Sequence, residues 1–179
     1  MTEEQLKILK VMSEVTGRVD MNEFARRIGL APSQVTEQVQ ELAKAGFVKK
    51  VGAGYGITEK GRTALRAVKP VPEGMEFHFY VEIGQPTRLS SRTMQEFYFI
   101  AKKADAASLE FHLYRGDFEK WVATAVEDPL FAGELADLKK TNSMGEELRK
   151  EILSALETRY GFEAFSERKE YAPSERIQV

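Results

Sequence analysis

Residues 30–61 read LAPSQVTEQVQELAKAGFVKKVGAGYGITEKG, and this stretch decides the fold. Pro32 suits the first turn of a helix, where its missing N–H would lack a partner anyway. Gly46 suits a helix end because it accepts positive φ without strain. The spacing predicts a helix over 32–45. At about 100° per residue, Val35, Val39 and Leu42 fall on one face, while Ser33, Glu37, Gln40 and Lys44 project from the opposite one. One face packs and the other is free to read a partner. Residues 47–51 then have strand character, Gly52-Ala53-Gly54 can supply the positive φ of a tight turn, and residues 55–58 return as a second short strand.

Working outward, residues 3–15 form a first helix with Leu6, Ile8, Leu9, Met12 and Val15 toward a core, and Thr2, Glu3 and Glu4 favour its start. Asp20 and Glu23 have capping-box spacing, and Met21, Phe24, Ala25 and Ile28 give a second, short helix its apolar stripe. Gly29-Leu30-Ala31 joins that helix to the next in the manner of a helix-turn-helix. A fourth helix runs from Thr58 or Glu59 toward Val68. Helix, hairpin and then Thr58-Glu59-Lys60-Gly61 closely resemble the winged-helix transcription-regulator superfamily, in which a similar Thr-x-x-Gly opens the helix after the wing. The resemblance covers about residues 3–68 and implies DNA binding.

Composition sets the bounds. The chain has 179 residues, 42% hydrophobic and 30% charged, as in an ordinary globular protein, and it has no cysteine, which removes disulfides, thiolate metal sites and cysteine nucleophiles. No apolar run approaches about 18 residues and the N-terminus lacks a basic segment followed by an apolar one, so a soluble, cytoplasmic protein without membrane contact is expected. Residues 1–70 carry 12 basic and 8 acidic side chains, a balance of +4, and residues 71–179 carry 14 and 20, a balance of −6. The first part favours a polyanion and the second does not.

Lys69-Pro70-Val71-Pro72-Glu73-Gly74 falls where the charge changes sign, and it predicts a winged-helix domain over 1–69, a linker over 70–75 and a C-terminal domain over 76–162. In the latter, Phe77, Phe79, Val81 and Ile83 alternate with polar residues as an initial strand, which Gly84-Gln85-Pro86 ends. Helices follow. Ser90 or Ser91 caps the first, residues 105–114 form the second, Asp117 caps the third, Asp128-Pro129 opens the fourth, and residues 143–160 make the last. Residues 163–179 read as a tail or an arm. The predicted class is mainly α with minor β: an N-terminal winged helix-turn-helix domain and a mostly helical C-terminal domain with an initial strand. Through Thr93-Met94-Gln95-Glu96-Phe97, Ser108-Leu109-Glu110-Phe111-His112, Asp117-Phe118-Glu119-Lys120-Trp121 and Glu146-Glu147-Leu148-Arg149, the second part resembles an uncharacterised prokaryotic domain of unknown function.

No catalytic constellation emerges. His78 reads as a strand-surface residue and His112 as a structural, hydrogen-bonded one, and they lack the spacing of a metal pair. The glycines at 52, 54 and 56 are not followed by Gly-Lys-Ser/Thr, so they belong to a wing turn rather than a phosphate loop. Phe97, Tyr98, Phe99, Phe111, Phe118 and Trp121 read as core, with a sensor pocket as the other reading. Neither enzymatic activity nor a metal or cofactor is expected, and no small-molecule effector is named by the residues. The expected partner is double-stranded DNA. Ser33, Gln34, Thr36, Glu37, Gln38, Gln40 and Lys44 form the reading surface, with glutamine suited to adenine, and Arg26, Arg27, Lys49, Lys50 and Lys60 hold phosphates. The expected function is sequence-specific transcription regulation, with the C-terminal part dimerising or sensing. A homodimer would use the stripe of Leu148, Ile152, Leu156 and Tyr160. The alternative is a winged helix used as a protein-interaction module, because Glu37 and Glu41 oppose a polyanion and the wing tip carries no Arg or Lys.

Overall fold

The computed structural model describes residues 1–15 and 21–162. Among these the chain is mainly helical, with two small antiparallel sheets, and it divides into two compact units. The first holds Met1–Ala67 together with residues 160–162, and the second holds Val68–Arg159.

The first unit orders α1 (Glu3–Glu14), α2 (Met21–Ile28), α3 (Pro32–Lys44), β1 (Val48–Val51), β2 (Gly54–Ile57) and α4 (Glu59–Val68). Thr2 starts α1 through a reciprocal cap: its hydroxyl accepts from the Gln5 N–H at 3.2 Å and the Gln5 side chain accepts from the Thr2 N–H at 3.0 Å. The cap expected from Asp20 lies outside the described residues. α1 packs on α2 and α3, burying Ile8 and Leu9 with Phe24, Val35, Val39 and Leu42. Leu6 and Met12, expected in that core, are only half-buried. Gly46 takes φ +80 and turns the chain into β1, whose Val48 is buried beside Phe47. Tyr160 and Phe162 are fully buried, and between them Gly161 lies so close to Phe47 that a Cβ there would stand 3.1 Å from its ring.

The second unit opens with a hairpin, β3 (Phe77–Glu82) and β4 (Gln85–Ser91), where the sequence predicts one strand and then a helix. β4 reads poorly as a strand because Pro86 donates no hydrogen bond. It pairs with β3 through two register shifts, and the Thr87 hydroxyl bridges to the Phe79 carbonyl at 2.8 Å. Ser90 and Ser91 therefore lie in a strand, and the cap of α5 (Met94–Ala101) is Thr93, which accepts from the Glu96 N–H at 3.0 Å. The segment expected as a linker is tied to this unit: the Val71 N–H donates to Arg92 and the Trp121 indole donates to the Met75 carbonyl, both within 2.8 Å.

α6 (Ala106–Arg115) ends on Gly116 at φ +80, which also begins α7 (Asp117–Trp121). Asp117, expected as that cap, instead turns its carboxylate to His112. The helix widens into a π-helical turn, Val122–Val126, before α8 (Pro129–Leu138), a short 3₁₀ turn and α9 (Gly145–Tyr160). Phe77 is the hub of the core, with Phe79, Phe97, His112, Phe118 and Trp121 all within 5.9 Å between ring centroids. Among the expected aromatic set, Phe97, Tyr98, Phe118 and Trp121 are buried, while Phe99 and Phe111 are half-buried. Leu148, Ile152, Leu156 and Tyr160 are completely buried within the chain. They offer no surface to a second copy, which removes the dimer contact expected from that stripe.

Two polar devices hold the helices. Arg149 donates to the carbonyls of Ala101, the last residue of α5, and of Ala104 beyond it, at 2.5 and 2.6 Å, and Arg159 pairs at 2.8 Å with the fully buried Asp128, which caps α8. Between the π-helical turn and that cap, Glu127 sits at φ 61, a conformation that suits glycine, with its side chain in solvent beside Lys69. Glu127→Gly is expected to raise stability by up to about 1 kcal/mol, because the Cβ penalty disappears and the exposed ion pair contributes little. Urea unfolding midpoints check this, and a β-branched residue at the same position should lower them.

Candidate nucleic-acid interface

α3 presents its outward face because its inward face is consumed: Val35, Val39 and Leu42 are at most 3% exposed. Opposite them, Ser33, Glu37, Gln40 and Lys44 are all exposed and fall within an arc of roughly 60°. The remaining predicted readers are drawn into the helix's own structure. Gln34 reaches back so that its side-chain oxygen accepts from the Ala31 N–H at 3.0 Å, which caps a helix start that Ala31 itself cannot cap. The Thr36 hydroxyl donates back to the Pro32 carbonyl at 2.9 Å. Gln38 lies on the flank, with its side-chain oxygen buried and unpartnered. Lys44 donates to Glu41 at 2.7 Å, and this hydrogen bond, with the charge of the carboxylate behind it, holds the ammonium above its ordinary pKa.

Of the predicted phosphate contacts, Arg26 and Arg27 are exposed on the last turn of α2, and Arg27 stands 3.7 Å from Glu14. Lys49 and Lys50 are exposed on β1 and, among the described residues, neither has an acidic partner. Adjacent strand residues point to opposite faces, so the two lysines leave the ribbon in opposite directions. Lys50 shares its face with its cross-strand neighbour Tyr55, and Lys49 shares the other with Val51, opposite the bare glycines 56 and 54. Lys60 is committed elsewhere: its ammonium donates to the Ala45 carbonyl at 3.0 Å and lies 4.9 Å from the Phe47 ring centre, closing the C-terminal end of α3.

The joint between wing and α4 fixes where these groups stand. The Thr58 hydroxyl donates to the carbonyls of Gly46 and Phe47 at 2.7 and 3.0 Å, while its oxygen accepts from the Gly61 N–H at 3.2 Å. One side chain thus caps α4 and clamps the turn between α3 and β1. Gly61 is required because a Cβ at that position would lie 2.3 Å from the Phe47 carbonyl oxygen. The sequence shows Thr58 and Gly61 only as a familiar spacing, and the structure supplies the reason for it. Tyr55 and Val51 are the wing's exposed apolar side chains, and the sequence does not mark them, since a strand of four residues gives too short a pattern to assign faces.

Among the described residues no group of three or more His, Asp or Glu side chains is placed to hold a metal ion, and no helix is long and apolar enough to cross a membrane. His78 is exposed on β3, whereas both ring nitrogens of the buried His112 are occupied, by the Tyr80 N–H and by Asp117.

Residues 1–49 match a family described as winged helix-turn-helix DNA-binding. That span takes in α1, α2, α3 and the start of β1, and together with the hairpin and α4 that follow, it gives the first unit the architecture of a winged helix-turn-helix domain. The C-terminal part has no family match, so the resemblance read over residues 77–160 finds no counterpart there. Neither the curated proteins nor the solved structures compared with the chain include a match.

Proposed function

We propose that the protein is a sequence-specific DNA-binding regulator of transcription, with α3 entering a major groove and the wing flanking it. The observation that carries this is the outward face of α3: polar, exposed, and set on a helix whose opposite face is locked into the core. Ser33 and Gln40 can hydrogen-bond base edges, and Lys49, Lys50, Arg26 and Arg27 can meet phosphates on either side. The C-terminal unit would serve as a sensing or partner-binding part, supported by its acidic balance, which disfavours DNA. Pairing of two copies on adjacent half-sites, the usual geometry for helix-turn-helix readers, would use a surface other than the buried stripe of α9. Sedimentation velocity at micromolar concentration checks that.

A mobility-shift assay against the DNA upstream of the protein's own gene tests the function, with a random duplex of equal length as reference. A retained complex on the upstream duplex at concentrations that leave the random duplex free is the expected result. Equal retention of both would overturn sequence-specific reading. A second reading is favoured by one observation, the exposed Val51 and Tyr55 on the wing, which suit a protein surface better than a phosphate backbone. Absence of any DNA complex would favour it.

A further inference from the structure

Glu37 stands at the centre of the outward face of α3, exposed and, among the described residues, without a cation beside it. Its neighbours are accounted for. Glu41 is paired with Lys44, Gln34 and Thr36 bond to the backbone of their own helix, and the Gln38 oxygen is turned inward. Among the described residues, that leaves Ser33, Glu37 and Gln40 as the side chains of the outward face with no hydrogen bond or ion pair. A carboxylate aimed at a duplex repels the phosphates whatever the sequence, so it weakens all binding unless a donor in the groove meets it. The major groove offers two such donors, the N4 amine of cytosine and the N6 amine of adenine. Adenine places the acceptor N7 beside its amine, where it repels the second carboxylate oxygen, whereas cytosine places only a C–H there. Guanine and thymine present acceptors, N7 and O6 or O4, which an acceptor-only group cannot satisfy.

We propose that Glu37 is a specificity residue that accepts a hydrogen bond from the N4 amine of a cytosine in the major groove and rejects the other three bases at that position. This rests on the DNA-binding function proposed above. The carboxylate then lowers affinity for random DNA and recovers it on one kind of base pair, which widens the ratio between cognate and competing sites.

Selection of bound duplexes from a randomised library tests it, with wild type, Glu37→Gln and Glu37→Ala compared after thermal melts establish that all three are folded. Wild type should enrich cytosine at one position, with about tenfold weaker binding when that base pair is changed. Glu37→Gln should shift the preference at that position alone toward adenine, whose N6 and N7 suit an amide, and Glu37→Ala should lose it there alone. Variants that enrich the wild-type sequence, or that bind every duplex more tightly with preferences unchanged, would overturn the role of Glu37 while DNA binding stands. Wild type that binds duplexes but enriches no base at any position would likewise overturn it. Wild type that binds no duplex at all would overturn both the inference and the function beneath it.

Discussion

Gly61→Ala is expected to destabilise the winged-helix unit by about 2 kcal/mol, enough to lower its melting midpoint by about 10 °C. The added methyl would be built 2.3 Å from the Phe47 carbonyl oxygen and 2.7 Å from the Ile57 side chain, so β1 or α4 has to move. Two effects oppose each other. Alanine favours a helix over glycine by about 1 kcal/mol, and a backbone overlap of this depth costs more than that, because the oxygen it meets is itself held by Thr58. Thermal unfolding followed by circular dichroism decides the sign, and a rise in the midpoint would show that helix propensity outweighs the close approach. DNA affinity should fall with stability, since the same joint sets the wing against α3.

His112→Phe is expected to cost the second unit about 2 to 4 kcal/mol, although the ring volume is kept. In the native chain the imidazole Nε2 accepts from the Tyr80 N–H at 2.8 Å, and Nδ1 stands 2.8 Å from Asp117, so the neutral ring with its proton on Nδ1 satisfies both partners. Phenylalanine leaves a half-buried amide without an acceptor and takes from the Asp117 carboxylate its closer partner, leaving it Arg115 at 3.2 Å. The same geometry sets a pH dependence. Burial, first, pushes the imidazole below its ordinary value of 6.5, with Arg115 in the same direction, while the hydrogen bond and charge of Asp117 work against it. A second proton on the ring would face the Tyr80 N–H. Between the folded and unfolded values the unfolded chain binds more protons, so this contribution is full above about pH 6.5 and is lost as pH falls toward the lowered folded value. Urea midpoints at pH 7.5 and 5.5 should converge between wild type and variant as pH drops. An unchanged gap would mean that His112 does not resist protonation.

The legible and illegible parts of the chain differ for physical reasons. α3 can be read from Pro32, Gly46 and three apolar residues at helical spacing, because local rules and tertiary packing agree there. Asp128-Pro129 announces α8 for the same reason, with cap and first-turn proline adjacent. β4 cannot be read: Gln85-Pro86-Thr87-Arg88 has no alternation, and what holds it is pairing with β3 and a threonine bridge across the hairpin. Asp117 has the residue type and place of a helix cap, yet its carboxylate serves a histidine five residues earlier, and spacing alone does not distinguish the two uses. The candidate interface is legible as a helix face but not as individual roles. Gln34, Gln38 and Gln40 are equivalent in sequence, and only the fold separates an exposed side chain spent on a cap and one whose oxygen is turned inward from an exposed one with, among the described residues, no hydrogen bond.

Whether the wing and α3 meet DNA is decided by fluorescence anisotropy of a labelled upstream duplex, titrated over a series of salt concentrations with wild type and with Lys49→Ala/Lys50→Ala. Wild type should bind with an affinity that falls linearly with salt on logarithmic axes, and the double variant should show a slope shallower by about 0.9 for each phosphate that is no longer neutralised. Because the two lysines leave opposite faces of the wing, a change of about one unit means that one face meets the backbone, and about two means that both do. Binding that is unaltered by the double substitution at every salt concentration, or absent from all duplexes, would contradict the assignment of this surface to DNA.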